Sequence, residues 1–132
     1  MDNEIFTSYY ARTKNFYVNR WHFVQVSHTY PNWWPIEGII KLNEVVPPWY
    51  LVEGIKKGLL TEEYYTESYK NFLSQVDREA VLEKLYGLLK DKNVVLLCYE
   101  RPTDFCHRHI LASWLSPELE VKELESNYYE SC

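Results

Sequence analysis

Residues 94 to 99, VVLLCY, form the longest purely apolar run in the chain, and the loop and amphipathic segment ERPTDFCHRHILASWL follow it without a break. A strand with no polar alternation must be covered on both faces, and sheets covered on both faces are parallel sheets with helices packed against them. This one stretch therefore predicts a small three-layer α/β domain with a mainly parallel sheet flanked by helices. It also gathers Cys98, Glu100, Cys106, His107 and Arg108 where a strand hands over to a helix.

The rest of the chain supplies the other elements. Residues 5 to 10, IFTSYY, are β-branched and aromatic, a first strand that ends in a polar loop carrying Arg12 and Lys14. Residues 21 to 28, WHFVQVSH, alternate as a second strand. From Tyr30 to Pro48 periodicity is lost among four prolines, with Trp33 and Trp34 between them; a long ordered loop is expected, with a short strand or turn somewhere in 36 to 46. A helix over 49 to 57 would have Pro48 near its first turn and Gly58 at its end. Thr61 caps a helix over 62 to 76, where Tyr65, Tyr69, Phe72, Leu73 and Val76 recur at helical spacing. Asp77 opens another that runs to about Lys90, striped by Val81, Leu82, Leu85, Leu88 and Leu89. The helix after the apolar strand spans 105 to 115 and stops at Ser116-Pro117. Residues 119 to 124 make a last edge strand, and 126 to 132 a frayed tail.

Length and composition limit the function classes. A chain of 132 residues is the size of one domain, 1 to 132, with a single core. The apolar run is far short of the ~20 residues of a spanning helix, and the acidic start Met1-Asp2-Asn3-Glu4 is unlike a signal peptide, so the expectation is a cytoplasmic protein with no membrane partner. Three irregularly spaced cysteines fit a reducing compartment better than a disulfide framework. A net charge of −5 argues against non-specific clamping of duplex DNA, which depends on many Lys and Arg contacts to phosphate. Aromatic content of 17% admits base stacking or a partner-binding surface, but in a small domain most such rings fill the core.

The run from Leu96 to Leu115 closely resembles the signature of the domain-of-unknown-function family 488: an apolar strand, Cys-x-Glu, a short loop with a proline, then Cys-His-Arg opening a helix. Thr7-Ser8-Tyr9, Val24-Gln25-Val26-Ser27, Pro47-Pro48-Trp49 and the stretch from Gly58 to Tyr69 are similar to further pieces of that family. The resemblance spans nearly the whole chain and implies a compact α/β fold with a candidate site at the motif positions. Gln25 and His28-Thr29-Tyr30-Pro31 depart from the more apolar strand and smaller loop expected there.

In a doubly wound sheet, ligands bind outside the carboxyl ends of the strands, where helix N-termini point. That rule places Ser8, Tyr9, Glu100, Cys106, His107 and Arg108 around one crevice if the first strand neighbours the apolar one. Arg108 beside a helix start suits a phosphate or carboxylate, or else an internal salt bridge to Glu100 or Asp104. Cys106 has the setting of an activated thiol, or of a packed one. Glu100 is either a general acid or base or a partner for Arg108. Tyr9 and Arg12 can hold a ligand's ring and phosphate, or simply pack. Cys98, Cys106, His107 and His109 match none of the usual zinc spacings, so no metal is assigned and no cofactor is identified. The Trp33-Trp34 loop is a lid or a cover for the sheet.

Two main readings follow, beside a third in which Cys106 is a thiol switch. In the first, the crevice binds an anion, a nucleotide or single-stranded nucleic acid, with Glu100 and Cys106 as catalytic groups and Ser8, Tyr9, Arg12, His107 and Arg108 as ligand-binding ones. In the second, the same residues lock the fold, and an aromatic, acidic surface meets a protein partner without catalysis.

Overall fold

The computed structural model describes residues 3–99 and 105–124. The strands β1 (Ile5–Tyr9), β2 (Trp21–Gln25), β3 (Ile40–Lys41), β4 (Asn93–Cys98) and β5 (Val121–Glu123) pair in the order β3-β2-β4-β1-β5. Every pairing among them is parallel. The apolar run thus becomes the central strand, with β2 on one side and β1 on the other, and Val94 to Cys98 are all buried. Sequestering each such aliphatic side chain contributes roughly 1.5–3 kcal/mol, which favours this run in the middle of the sheet rather than at an edge.

The helices are α1 (Tyr10–Thr13), α2 (Trp49–Lys56), α3 (Glu62–Leu73), α4 (Arg78–Leu89) and α5 (His107–Leu115). The four longer ones share a core with one face of the sheet, where Leu51, Tyr69, Leu85 and Leu111 meet Ile5, Val24, Val94 and Leu96. The opposite face is covered differently. There Phe6, Trp21, Phe23, Val95 and Leu97 pack under Tyr10, Phe16 and Trp34 from α1 and the loops. Tyr10 and Phe23 each meet Trp34 edge-on, with centroids 5.3 and 5.7 Å apart, and Phe16 lies 5.1 Å from Trp21. Much of the aromatic content is therefore core, and the proline-rich loop is a cover: Trp34 is buried, while Trp33 stays half exposed beside the Lys14 ammonium at 5.7 Å.

Local signals account for the helix starts. The Thr61 hydroxyl accepts from the Tyr64 amide at 3.0 Å, and the Asp77 carboxylate accepts from the Ala80 amide at 3.2 Å, each satisfying a donor the helix cannot. Gly58, just past α2, has φ +71, which a glycine adopts without strain. Several boundaries differ from expectation: α3 ends at Leu73 rather than Val76, and β5 is shorter than 119 to 124. The polar segment after β1 begins with the single helical turn α1, the second strand ends at Gln25, and α5 begins at His107 because Cys106 is extended, with φ −150 and ψ 139. Residues 126 to 132, expected as a frayed tail, lie outside the described residues. No helix among the described residues is long and apolar enough to cross a membrane.

Candidate functional site

Neighbouring strands β2 and β4 send the chain to opposite edges of the sheet. From β2 it turns outward to β3, and from β4 it runs through α5 to β5 at the far edge. Loops that diverge in this way leave a crevice at the carboxyl ends of the two strands. A cavity of about 250 Å³ lies there. Ser27, His28 and Thr29, which follow β2, line one wall, and Cys98 and Tyr99 at the end of β4 line the next. The helices close it with Trp49, Val52, Ile55 and Lys56 from α2, Tyr65 from α3, and Phe105, Cys106 and His107 at the start of α5.

The wall is held by specific contacts. His28 Nε2 donates to the Pro47 carbonyl at 2.7 Å, and its ring meets Trp49 edge-on at 4.7 Å, so the departure noted in the second strand ties the β2 loop to the start of α2. The Phe105 ring stands edge-on to Tyr65 at 5.1 Å. Lys56 is exposed at the rim and is the cation among the lining residues.

At the floor, His107 is almost wholly buried, and its Nε2 lies against the Val26 carbonyl. A carbonyl only accepts, so Nε2 carries the proton and Nδ1 presents a lone pair. That lone pair lies 3.9 Å from Cys106 Sγ. Burial lowers the His107 pKa to about 4; the nearby Arg108 charge adds to this, and the bond to Val26 opposes it. His107 is a neutral imidazole at physiological pH. Cys98 and Cys106 meet as a disulfide with Cα atoms 7.7 Å apart, so the two thiols expected to be free are instead joined.

Arg108 is fully buried on the other side of the helix start. Its Nε and one terminal nitrogen donate to the two Glu123 carboxylate oxygens at 3.0 Å each, and the remaining nitrogen lies 2.8 Å from Cys98 Sγ. Glu123 also accepts from the Thr7 hydroxyl at 2.7 Å and meets His109 Nε2 at 3.3 Å. Burial alone would raise the Glu123 pKa, but bonds from His109, Arg108 and Thr7 together with the Arg108 charge outweigh it and bring the value to about 2.

The residues predicted from sequence therefore separate. Cys106 and His107 line the cavity. Arg108 does not: it forms an internal salt bridge to Glu123, while the Glu100 and Asp104 expected as its partners lie outside the described residues. Ser8 shares a face of β1 with Phe6 and so points into the aromatic layer, away from the helices, since strand side chains alternate. Its hydroxyl is buried with no hydrogen-bond partner among the described residues. Tyr9 lies under the Arg12 guanidinium at 5.5 Å, outside the cavity wall. Glu100 and Asp104 fall outside the described residues. Sequence reasoning missed Trp49, Tyr65, Lys56 and Glu123. The Pro-Pro-Trp motif was the available signal for Trp49; Glu123, in a short edge strand, offered none.

Fold and crevice define a small parallel α/β protein with an aromatic cavity at the carboxyl ends of two strands that diverge. Residues 24–119 match the family model DUF488-N3a, described as the active DUF488-N3 subclade. The chain belongs to the DUF488 family. No curated protein and no solved structure gives a significant match.

Proposed function

We propose that the crevice between β2 and β4 binds a nucleotide, or the terminal nucleotide of a single strand, within the cytoplasm. The observation that carries this reading is the composition of the wall: the rings of Trp49, Tyr65, Tyr99 and Phe105 surround a cavity of about 250 Å³, and Lys56 stands at its rim. Flat heteroaromatic bases gain roughly 1–3 kcal/mol each from such rings, without regard to sequence. The volume suits a base and part of its sugar, which leaves the phosphate outside, within reach of one ammonium. Thr29, whose hydroxyl meets the Tyr99 hydroxyl at 3.0 Å, supplies a polar group for the base edge, whereas the Ser27 hydroxyl is held by Tyr10 and the Thr29 carbonyl. A chain with net charge −5 does not hold a long polyanion by charge, so the ligand is a short one. Arg108, fully buried, paired with Glu123 and not among the residues of the cavity wall, is not assigned to anion recognition.

Titration of mononucleotides and short single-stranded oligonucleotides, followed by tryptophan fluorescence and thermal stability, tests this. Wild type should show saturable quenching and a rise in Tm. Trp49→Ala should weaken binding about 5- to 150-fold, the equivalent of one lost stack. Lys56→Ala should weaken nucleotides more than nucleosides. A wild type that responds to none of these ligands, or a response that survives in both variants, overturns the proposal.

A further inference from the structure

We propose that Cys98, Cys106 and His107, with both cysteines reduced, form a three-ligand site for zinc or another thiophilic cation, its fourth position open to the crevice. This goes beyond nucleotide binding and stands without it. The two Sγ atoms and a His107 ring nitrogen all lie within 4.8 Å of one another, and all three residues are buried. Among the described residues the cluster stops at three. That is the number of protein ligands in zinc sites that leave a position for water or substrate. All three residues also line the cavity, so the missing position faces it.

Three further features agree. His107 is held by its Nε2 donating to the Val26 carbonyl, the outer contact that fixes tautomer and ring orientation in metal-bound histidines, and Nδ1 is left facing the sulfurs. The backbone spacing also fits. Disulfides ordinarily join Cα atoms about 4.4–6.8 Å apart, whereas Cys98 and Cys106 are 7.7 Å apart. Two thiolate bonds to zinc, each about 2.3 Å, reach across a wider gap. Charge is the third feature. Two thiolates neutralise a divalent cation, and Arg108 beside Cys98 is paired with Glu123, so among the described residues the filled site adds no net buried charge. The Cys-x7-Cys-His spacing is unlike that of the familiar zinc modules, because the ligands come from a strand end and the following helix start rather than from a knuckle.

Filling the site requires the disulfide to open. A thiol reductant supplies two electrons and two protons to the sulfurs and is itself oxidised to a disulfide. The metal then replaces the two S–H protons, which pass to solvent, with two metal–sulfur bonds.

The test uses Co²⁺ as a spectroscopic probe and Zn²⁺ as competitor on the full chain, reduced with a phosphine that does not bind metal. One equivalent of Co²⁺ should give sulfur-to-cobalt charge transfer and the visible bands of tetrahedral cobalt, and Zn²⁺ should abolish both. His107→Ala should weaken binding at least about tenfold, Cys98→Ser or Cys106→Ser should remove the two-sulfur spectrum, and Cys132→Ser should leave it unchanged. Absence of charge transfer in reduced wild type overturns the proposal, whatever the variants do. So does an equal signal in the oxidised protein, or a signal that depends on Cys132.

Discussion

His107 and Arg108 are consecutive, yet they serve opposite ends. The helical step of about 100° per residue turns His107 toward β2 and α3, where it meets the Val26 carbonyl and the edge of Tyr69, and lines the crevice. The same step turns Arg108 toward β1 and β5, where Glu123 and Cys98 leave no part of it in contact with solvent. One helix start therefore has an open half and a locked half. The lock fixes where α5 begins, and so where Cys106 and His107 stand. A motif of adjacent chemical residues need not form a single site, since side chains one residue apart on a helix leave it about 100° apart.

The sharpest way to break this comparison is to remove the lock. Arg108→Met keeps most of the volume but strands the Glu123 carboxylate, which is only 23% exposed. Removing one partner of a buried pair costs about 3–5 kcal/mol. The expectation here is the lower end, because Thr7 and His109 still reach Glu123. Urea denaturation should show this loss for Arg108→Met, and the double variant with Glu123→Gln should lose less than the sum of the two single changes. A loss under about 1 kcal/mol for Arg108→Met would mean that α5 is positioned by packing alone.

Acid sharpens the same contrast with a somewhat smaller effect. The Glu123 carboxyl falls from an ordinary 4.5 to about 2 on folding. A depressed pKa contributes stability that is complete above the unfolded value and is lost as pH falls through the folded one. The window is therefore pH 4.5 down to 2, and the loss is roughly 2–3 kcal/mol. Wild type should show it in chemical denaturation across that range, whereas Glu123→Gln should start less stable and be flatter. His107 does not mimic this profile: with a folded pKa of about 4 against an ordinary 6.5, its loss of stability falls between pH 6.5 and 4, above most of the Glu123 window, and it persists in Glu123→Gln. If the two proteins have parallel profiles, the lock is not the group that titrates.

These contrasts also show how far the sequence could be read. The parallel sheet followed from Val94 to Cys98 lacking polar alternation, and the helix starts at Thr61 and Asp77 followed from their capping side chains. Both are local signals, read within a few residues. The Glu123 partner of Arg108 was not local. Glu123 sits fifteen residues away on an edge strand of three residues, and nothing in that strand marks it before β5 pairs with β1. The cavity wall on α2 was hidden for the same reason, since Trp49 becomes a site residue only when the sheet order brings β2 and β4 together. Ser8 is a different case. The period of a strand already separates it from Tyr9, so the aromatic layer that receives it was legible, and the crevice drawn around both residues was too wide.

The smallest effect probes the open half alone. Gly54 lies inside α2, and a Cβ there would stand 2.5 Å from Leu60 Cδ1 and 2.6 Å from Cγ. Alanine would otherwise favour the helix by about 1 kcal/mol over glycine, but overpacking of this kind costs about 1–3 kcal/mol. Gly54→Ala should therefore lose about 1 kcal/mol net, with Leu60 and α2 expected to move apart. That shift moves Val52, Ile55 and Lys56, which form one wall of the cavity. Nucleotide affinity should fall severalfold while the loss of stability between pH 4.5 and 2 stays as in wild type, because the Thr7, Arg108 and His109 groups that hold Glu123 belong to β1 and α5. If Gly54→Ala instead changed the acid profile and spared affinity, the two halves of the α5 start would be coupled through the helix layer and the division between them would fail.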